Sequence, residues 1–373
     1  MKVFFVIVAY FAMQTITSQN VNQKRTIEFD KEIQTLLNKT IDNKKVFGVS
    51  FAVKKNEYTW VGAAGNMTAS KSYFIASTTK LFTTAIVMHL KSEGKLNLED
   101  KISKYLDNKI IDGLHKFKAV DYSGQITIKH LLSHTSGLPD YFQNKGANGR
   151  SLEDELIEGK DQNWNFEQCI NRTKLMTPLF APGTPGKAHY SDANFQLLGK
   201  IIETITQKSY AENCKQLIIQ PLGMKNTYLY TNANDTTPKS LYYKTEQLHI
   251  PKAMTSFGPD GGMVSTSTDM LVFIEAFFTG RLFPSEYIDE MKVWNNIFFP
   301  MQSGVGMHLF KLPWAVNPTG AVPDFIGHSG LSGSLAFYSP KDNMYIVGTV
   351  NQIANPDISF KTMIFISQIM KDL

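Results

Sequence analysis

Strand-like segments stand near both ends of this chain, and the long stretch between them is mostly helical in pattern. Val46 to Val53 and Tyr58 to Ala64 flank the polar Lys54 to Glu57, which predicts a hairpin. Ser334 to Tyr338 and Met344 to Val350 repeat that arrangement around Pro340-Lys341-Asp342-Asn343. Helical candidates in between are Thr78 to Glu93, Ile128 to Ser133, Asn194 to Thr206, Ala211 to Ile219 and Thr268 to Phe278. The last is opened by the capping signal Ser267-Thr268-Asp269. Further helices are expected over Ile27 to Thr40 and Phe360 to Lys371. The economical arrangement is α+β: an antiparallel sheet made by both chain ends, flanked by N- and C-terminal helices, with a mainly helical region inserted. The sheet part then covers about 25–75 and 255–373, and the helical part about 76–254.

A chain of 373 residues, 43% hydrophobic and 19% charged, has ample material for a packed core. Its formal net charge of +5 is small, and no basic cluster interleaved with aromatics points to nucleic acid. Lys2, the apolar run Val3 to Met13 and the small residues Thr15, Thr17 and Ser18 have the layout of a secretory signal peptide over 1–18. The protein is therefore expected to be secreted or periplasmic, without stable membrane insertion of the mature chain. Cys169 and Cys214 are too few for a disulfide scaffold or a thiolate zinc site, and sequence leaves open whether they pair. Asn38, Asn66, Asn171 and Asn234 begin glycosylation-type triplets, which matter only in a eukaryotic host.

Three short elements could carry chemistry. In Ser77-Thr78-Thr79-Lys80 a serine and a lysine stand three apart, so a helical turn brings them within hydrogen-bond reach. A serine hydroxyl needs a base to become a nucleophile, and a lysine among Phe74, Ile75, Leu81 and Phe82 can serve as one. Alone the tetrad is weak, since Ser92-Glu93-Gly94-Lys95 matches it too, there in a polar setting that reads as solvated surface. Tyr190-Ser191-Asp192 follows a Pro/Gly-rich turn, and a tyrosine beside positive groups can become phenolate and share the base role. His328-Ser329-Gly330 precedes the strand at Ser334, where a histidine could donate to a substrate carbonyl or carboxylate and glycine permits close approach. His130 and His134 stand four apart, but the glutamate of a zinc-protease helix is missing, so no metal site is expected. No Gly-x-Ser-x-Gly elbow or phosphate-binding glycine loop is present.

The order Ser-x-x-Lys, Tyr-Ser-Asp, His-Ser-Gly resembles the penicillin-recognising serine hydrolases, in the branch of class C β-lactamases, D-alanyl-D-alanine carboxypeptidases, esterases and D-aminopeptidases. The connecting text is similar as well: FIASTTKLFTTAIVMHLKSEGKLNLEDKISKYL from Phe74, ITIKHLLSHTSGLPDY from Ile126, PGTPGKAHYSDANFQLLGKIIE from Pro182, PLGMKNT from Pro221, DGGMVSTSTDM from Asp260 and GHSGLSGS from Gly327. The resemblance implies a β-lactamase/transpeptidase-like fold with Ser77 as nucleophile, Lys80 as its hydrogen-bonded partner and Tyr190 as general base. It implies an oxyanion hole from the backbone N–H groups of Ser77 and Leu331, with Asp192, His328, Ser329 and Gly330 around the substrate. No cofactor is implied.

Two positions depart from the pattern. His328 stands where the β-lactamases usually have lysine, which gives up a fixed positive charge for a substrate carboxylate. Asp192 stands where asparagine is usual, and its carboxylate would favour the ammonium form of Lys80, shift the base role towards Tyr190 and suit a substrate amine. The expectation is thus an exported serine hydrolase of an ester or D-amino-acid peptide or amide bond. A β-lactamase and a non-catalytic cell-wall-peptide or penicillin-binding receptor are the alternatives. Substrate identity and oligomeric state stay open.

Overall fold

A computed structural model describes residues 26–373, so the signal peptide expected over 1–18 lies outside the described residues. The main sheet has eight strands, all neighbours antiparallel. Along the chain they are β1 (Gly48–Lys55), β2 (Tyr58–Gly65), β3 (Asn295–Phe298), β4 (Met301–Ser303), β5 (His308–Phe310), β6 (Phe325–Ser329), β7 (Ser334–Ser339) and β8 (Met344–Thr349). Their order across the sheet is β3-β4-β5-β6-β7-β8-β1-β2, so the two chain ends meet where β8 pairs with β1, Val53 opposite Ile346. Both expected hairpins are present, and each turns through a left-handed asparagine, Asn56 and Asn343.

The sheet is covered on both faces, which is why β1 and β8 are buried almost throughout. Val49, Phe51 and Val53 join Phe337 and Ile346 against the terminal helices. Those helices contribute Phe29, Ile33 and Leu37 from 26–40, and Met363 and Ile366 from Asp357–Ile369. The four-residue spacing of Phe29, Ile33 and Leu37 puts them on one helical stripe. Ala52, Ala336 and Val347 point the other way, into the larger core shared with the helical region. The helix Ser267–Phe278 lies on this second face, with Ser267 Oγ donating to the Ser50 carbonyl at 3.1 Å. Its cap is Thr266, one residue before the expected signal, whose hydroxyl accepts from the Asp269 N–H.

The helical region carries Lys80–Ser92 and Asp192–Thr206, both packed in the larger core. The expected helix over Ala211 to Ile219 is helical but not uniform: Tyr210–Cys214 is α, and Lys215–Ile219 widens into a π-turn. Cys169 and Cys214 are both buried and unbridged. Ser92-Glu93-Gly94-Lys95 is surface as expected, with Lys95 paired to the exposed Glu93. No helix among the described residues is long and apolar enough to cross a membrane.

Candidate active site

Ser77 follows the short strand Tyr73–Phe74, which pairs with Met263–Ser265. The chain then kinks at Ala76, a non-glycine residue held at φ 45°, and enters a 3-10 turn, Ala76–Thr79. A left-handed alanine is strained and persists only where its surroundings hold it. Here Ser334 Oγ donates to the Ile75 carbonyl at 2.5 Å, Ser332 Oγ to the Phe74 carbonyl at 2.8 Å, and Thr79 Oγ1 accepts from the Met263 N–H. The 3-10 geometry eclipses side chains three apart, which aligns Ser77 with Lys80 more directly than an α-turn would.

Lys80 is fully buried and its Nζ reaches three acceptors: Ser77 Oγ at 3.1 Å, Asp192 Oδ1 at 2.6 Å and the Asp260 carbonyl at 2.6 Å. Three acceptors, one a carboxylate, match the three donors of an ammonium group. Tyr190 donates its hydroxyl to Ser77 Oγ at 2.7 Å. Ser77, Lys80 and Tyr190 therefore meet at one oxygen, and Asp192 grips the lysine as its position implied.

The phenolate reading of Tyr190 needs correction. Desolvation below the pocket surface, reinforced by the Asp192 charge, pushes the phenol well above its usual range, and the bond to Ser77 only partly offsets this. Tyr190 is thus a phenol in the free protein. Asp140 and Asp260 lie behind it: burial first, then Asp192, raises both carboxyls well above the ordinary range. Asp260 accepts from Tyr141 and Gln196 at Oδ2, and Asp140 accepts from the Phe142 and Asp192 N–H groups at Oδ1.

Gly330, Leu331 and Ser332 turn against the Ser77 loop. A Cβ on Gly330 would lie 2.6 Å from the Ile75 carbonyl oxygen and 2.9 Å from the Ala76 Cβ, so glycine is required for this approach. Among the described residues no backbone carbonyl accepts from the Ser77 or Leu331 N–H, which leaves both donors unspent in residues that line the same pocket. This is the arrangement an oxyanion hole needs.

His328 departs from its expected use. Its Nδ1 lies 2.7 Å from the Ser329 carbonyl, an acceptor, so the single N–H of the neutral ring is spent there. Burial, with nearby His308 and Lys80, pushes the imidazole well below its usual range, and the buried Nε2 has no partner among the described residues. It stacks on His308 at a centroid distance of 4.1 Å, and His134 completes a buried trio whose ligating nitrogens lie within 4.8 Å of one another. His130 is elsewhere, capping the Ile128–Leu132 helix through its Nδ1. The trio suggests a metal, but the donor set does not fit. The Ser191 backbone N–H can only donate, and it donates to His134 Nδ1 at 3.1 Å. The proton of neutral His134 then sits on Nε2, the atom that would have to ligate.

The pocket above Ser77 has a volume of about 300 Å³. Phe142, Leu156, Leu241, Ile250, Met254, Phe257 and Ile353 supply its apolar lining, together with Phe298, which lies edge-on to Tyr190. Asp192 and Asp260 are its acidic members, and no lysine or arginine is among its lining residues. The sequence matches the Beta-lactamase family over residues 29–360. The chain belongs to the beta-lactamase family.

Relatives and solved structures agree with that membership. The chain is 28% identical over 354 residues to a putative D-alanyl-D-alanine carboxypeptidase of Salmonella typhi, covering 83% of this chain and 77% of that protein. It is 27% identical over 263 residues to the putative penicillin-binding protein PbpX of Bacillus subtilis (strain 168), covering 68% and 57%. The chain spans only about half the length of PbpX and of the protein flp of Staphylococcus aureus. In fold it is similar to a D-stereospecific amidohydrolase from Streptomyces sp. (TM-score 0.72, 24% identity, 89% of this chain and 97% of that one). It is equally similar to the D-amino acid amidase of Ochrobactrum anthropi SV3 (TM-score 0.74, 21% identity, 92% and 99%). The α+β arrangement expected from both chain ends, and the β-lactamase-like fold that the resemblance implied, is the fold observed.

Residues missed by sequence reasoning are His308, Asp140, Asp260 and the apolar pocket wall. Asp260 opens the DGGMVSTSTDM segment and so was within reach of the resemblance, whereas nothing local marks His308 in the short strand His308–Phe310.

Proposed function

We propose that the protein is an exported serine hydrolase that cleaves an ester or D-amino-acid amide bond through an acyl-enzyme on Ser77. The observation that carries this reading is Ser77 Oγ held between Lys80 Nζ at 3.1 Å and Tyr190 OH at 2.7 Å beneath an apolar pocket. The leader-like segment over 1–18 supports export.

Since Tyr190 starts as a phenol, it acts as a two-way proton carrier. With substrate bound the Tyr190 hydroxyl turns from Ser77 Oγ to the leaving atom, so Ser77 Oγ bonds to the substrate carbonyl carbon while its proton passes to the Tyr190 oxygen, and the phenolic proton passes to the departing nitrogen or oxygen. The bond to the leaving group breaks, and Tyr190 ends as it began. Lys80 supports the charge that grows on Oγ, and the N–H groups of Ser77 and Leu331 hold the carbonyl oxygen as it becomes negative. Water then repeats the sequence on the acyl carbon and returns the proton to Ser77.

The substrate class follows from the lining. An apolar wall with no lysine or arginine favours an apolar or aromatic acyl group. Lys80 has no donor left for a substrate carboxylate, and Asp192 repels one while tolerating an amine. A D-amino-acid amide or a neutral ester therefore suits the site better than a β-lactam.

The test is intact-protein mass after exposure to a fluorophosphonate, a penicillin and an activated ester, with Ser77→Ala alongside. A covalent adduct on the wild type alone is expected, with an ester adduct that decays. Absence of labelling by every probe refutes the proposal, and an adduct that never decays marks a receptor.

A further inference from the structure

The geometry points to His134 as the positioning residue for Tyr190, an inference that rests on the proposed role of that tyrosine. Tyr190 sits within a stretch, 187–191, without regular structure, so no helix or strand orients its ring. His134 supplies the orientation from three directions. Its carbonyl accepts from the His189 N–H at 2.9 Å, on one side of Tyr190 in the chain. Its Nδ1 accepts from the Ser191 N–H at 3.1 Å, on the other side. Its ring stacks on the Tyr190 ring, with centroids 4.7 Å apart and planes inclined by 24°.

The clamp is itself fixed. Asn194 lies 3.1 Å from the same Nδ1 through its Nδ2, while its Oδ1 accepts from Ser136 Oγ at 2.7 Å. His134 is buried and held at φ 56°, a left-handed conformation unusual outside glycine and asparagine. That conformation lets one residue present both its carbonyl and its ring to the 189–191 backbone. Because the Ser191 N–H can only donate, the clamp needs neutral His134 with its proton on Nε2. The structure thus assigns a purpose to a residue that touches no substrate: it sets the direction of the Tyr190 hydroxyl towards Ser77 Oγ.

Two substitutions divide the clamp. His134→Asn keeps an acceptor near the Nδ1 position and tolerates the left-handed backbone, but removes the stacked ring. His134→Phe keeps the ring and removes the acceptor. Each is made in the wild type and in Tyr190→Phe, and the fluorophosphonate reaction is resolved into its maximal rate and its half-saturating concentration. Misplacing a reacting group by about 1 Å can slow a step about 100-fold. The expected result is a maximal rate lowered at least about tenfold by either substitution, at little-changed half-saturation. Neither substitution lowers the rate further in the Tyr190→Phe background. A wild-type rate in the folded variants, or an equal loss in both backgrounds, overturns the assignment. If Tyr190→Phe alone leaves the rate intact, it is the proposed role of Tyr190 that fails. Should one variant not fold, the other carries the same comparison.

Discussion

His308 ties the stability of this protein to acid. The residue is 1% exposed, and neither ring nitrogen has a hydrogen-bond partner among the described residues. Burial, with a smaller contribution from Lys80, pushes its imidazole down from 6.5 to about 3. In the unfolded chain the same ring takes up a proton near pH 6.5, so between that pH and about 3 the unfolded state binds more protons. Stability contributed by the neutral ring is complete above 6.5 and is lost as the pH falls. Each pH unit in this window costs about 1.4 kcal/mol, which makes about 2.7 kcal/mol by pH 4.5. A chain of this length unfolds with an entropy of about 0.7 kcal/mol/K, so that loss lowers Tm by about 4 °C. The perturbation is His308→Phe, which keeps a ring against His328 and removes the titration. Tm is measured by differential scanning fluorimetry at pH 7.5 and 4.5 for both proteins. The wild type is expected to fall about 4 °C further than the variant. Parallel falls would refute the reasoning, because every other titrating group is common to the two.

Asp192→Asn removes the partner of a fully buried lysine, a loss of about 3 kcal/mol that thermal unfolding detects, and it lowers the preference for amine-bearing over carboxylate-bearing esters. An unchanged ratio of kcat/KM values would discard the amine reading. Gly330→Ala places a Cβ 2.6 Å from the Ile75 oxygen and displaces the Leu331 N–H, so fluorophosphonate labelling slows at least about tenfold. Labelling at the wild-type rate would remove Leu331 from the oxyanion hole. For Asp140 the sign is the reverse of His308. Its carboxyl is raised in the folded state, so its contribution is complete below about 3.8 and erodes as the pH rises through the raised value. Asp140→Asn should therefore lose less Tm between pH 4 and 8 than the wild type does, and an equal loss counts against a protonated Asp140. Phe257→Ala opens the apolar wall and should lower kcat/KM for aromatic acyl esters about 10- to 100-fold relative to acetyl esters. An unchanged ratio would place the acyl group elsewhere.

The parts of the fold written in local pattern were legible. Phe29, Ile33 and Leu37 mark one stripe of a helix, and the turns at Asn56 and Asn343 mark two hairpins, so β1, β2, β7 and β8 could be drawn before any coordinates, whereas the short strands β3 to β6 were not expected. Ser77, Lys80 and Tyr190 were legible because one turn holds the first two and a Pro/Gly-rich stretch announces the third. What stayed hidden depends on partners distant in sequence. His308 and His328 stack because β5 and β6 are neighbours with His308 opposite Gly327, a register no single segment encodes. The protonation of Tyr190 stayed hidden because it is set first by burial, which depends on how distant segments close over the ring, and only then by the neighbouring Asp192. The spent N–H of His328 depends on the backbone path at Ser329, which no residue type reveals.

The pairing of β1 with β8 has a consequence for synthesis. Ser50 finds Thr349 as its neighbour only when almost the whole chain exists. At about 5–20 residues per second, the first hairpin waits roughly 15–60 s on the ribosome with one edge unsatisfied. Throughout that time Val49, Phe51 and Val53 have none of the C-terminal covering they will later acquire. A nascent chain of this kind cannot lock in its first strands early. It depends on being kept apart from its own copies until the last strand arrives.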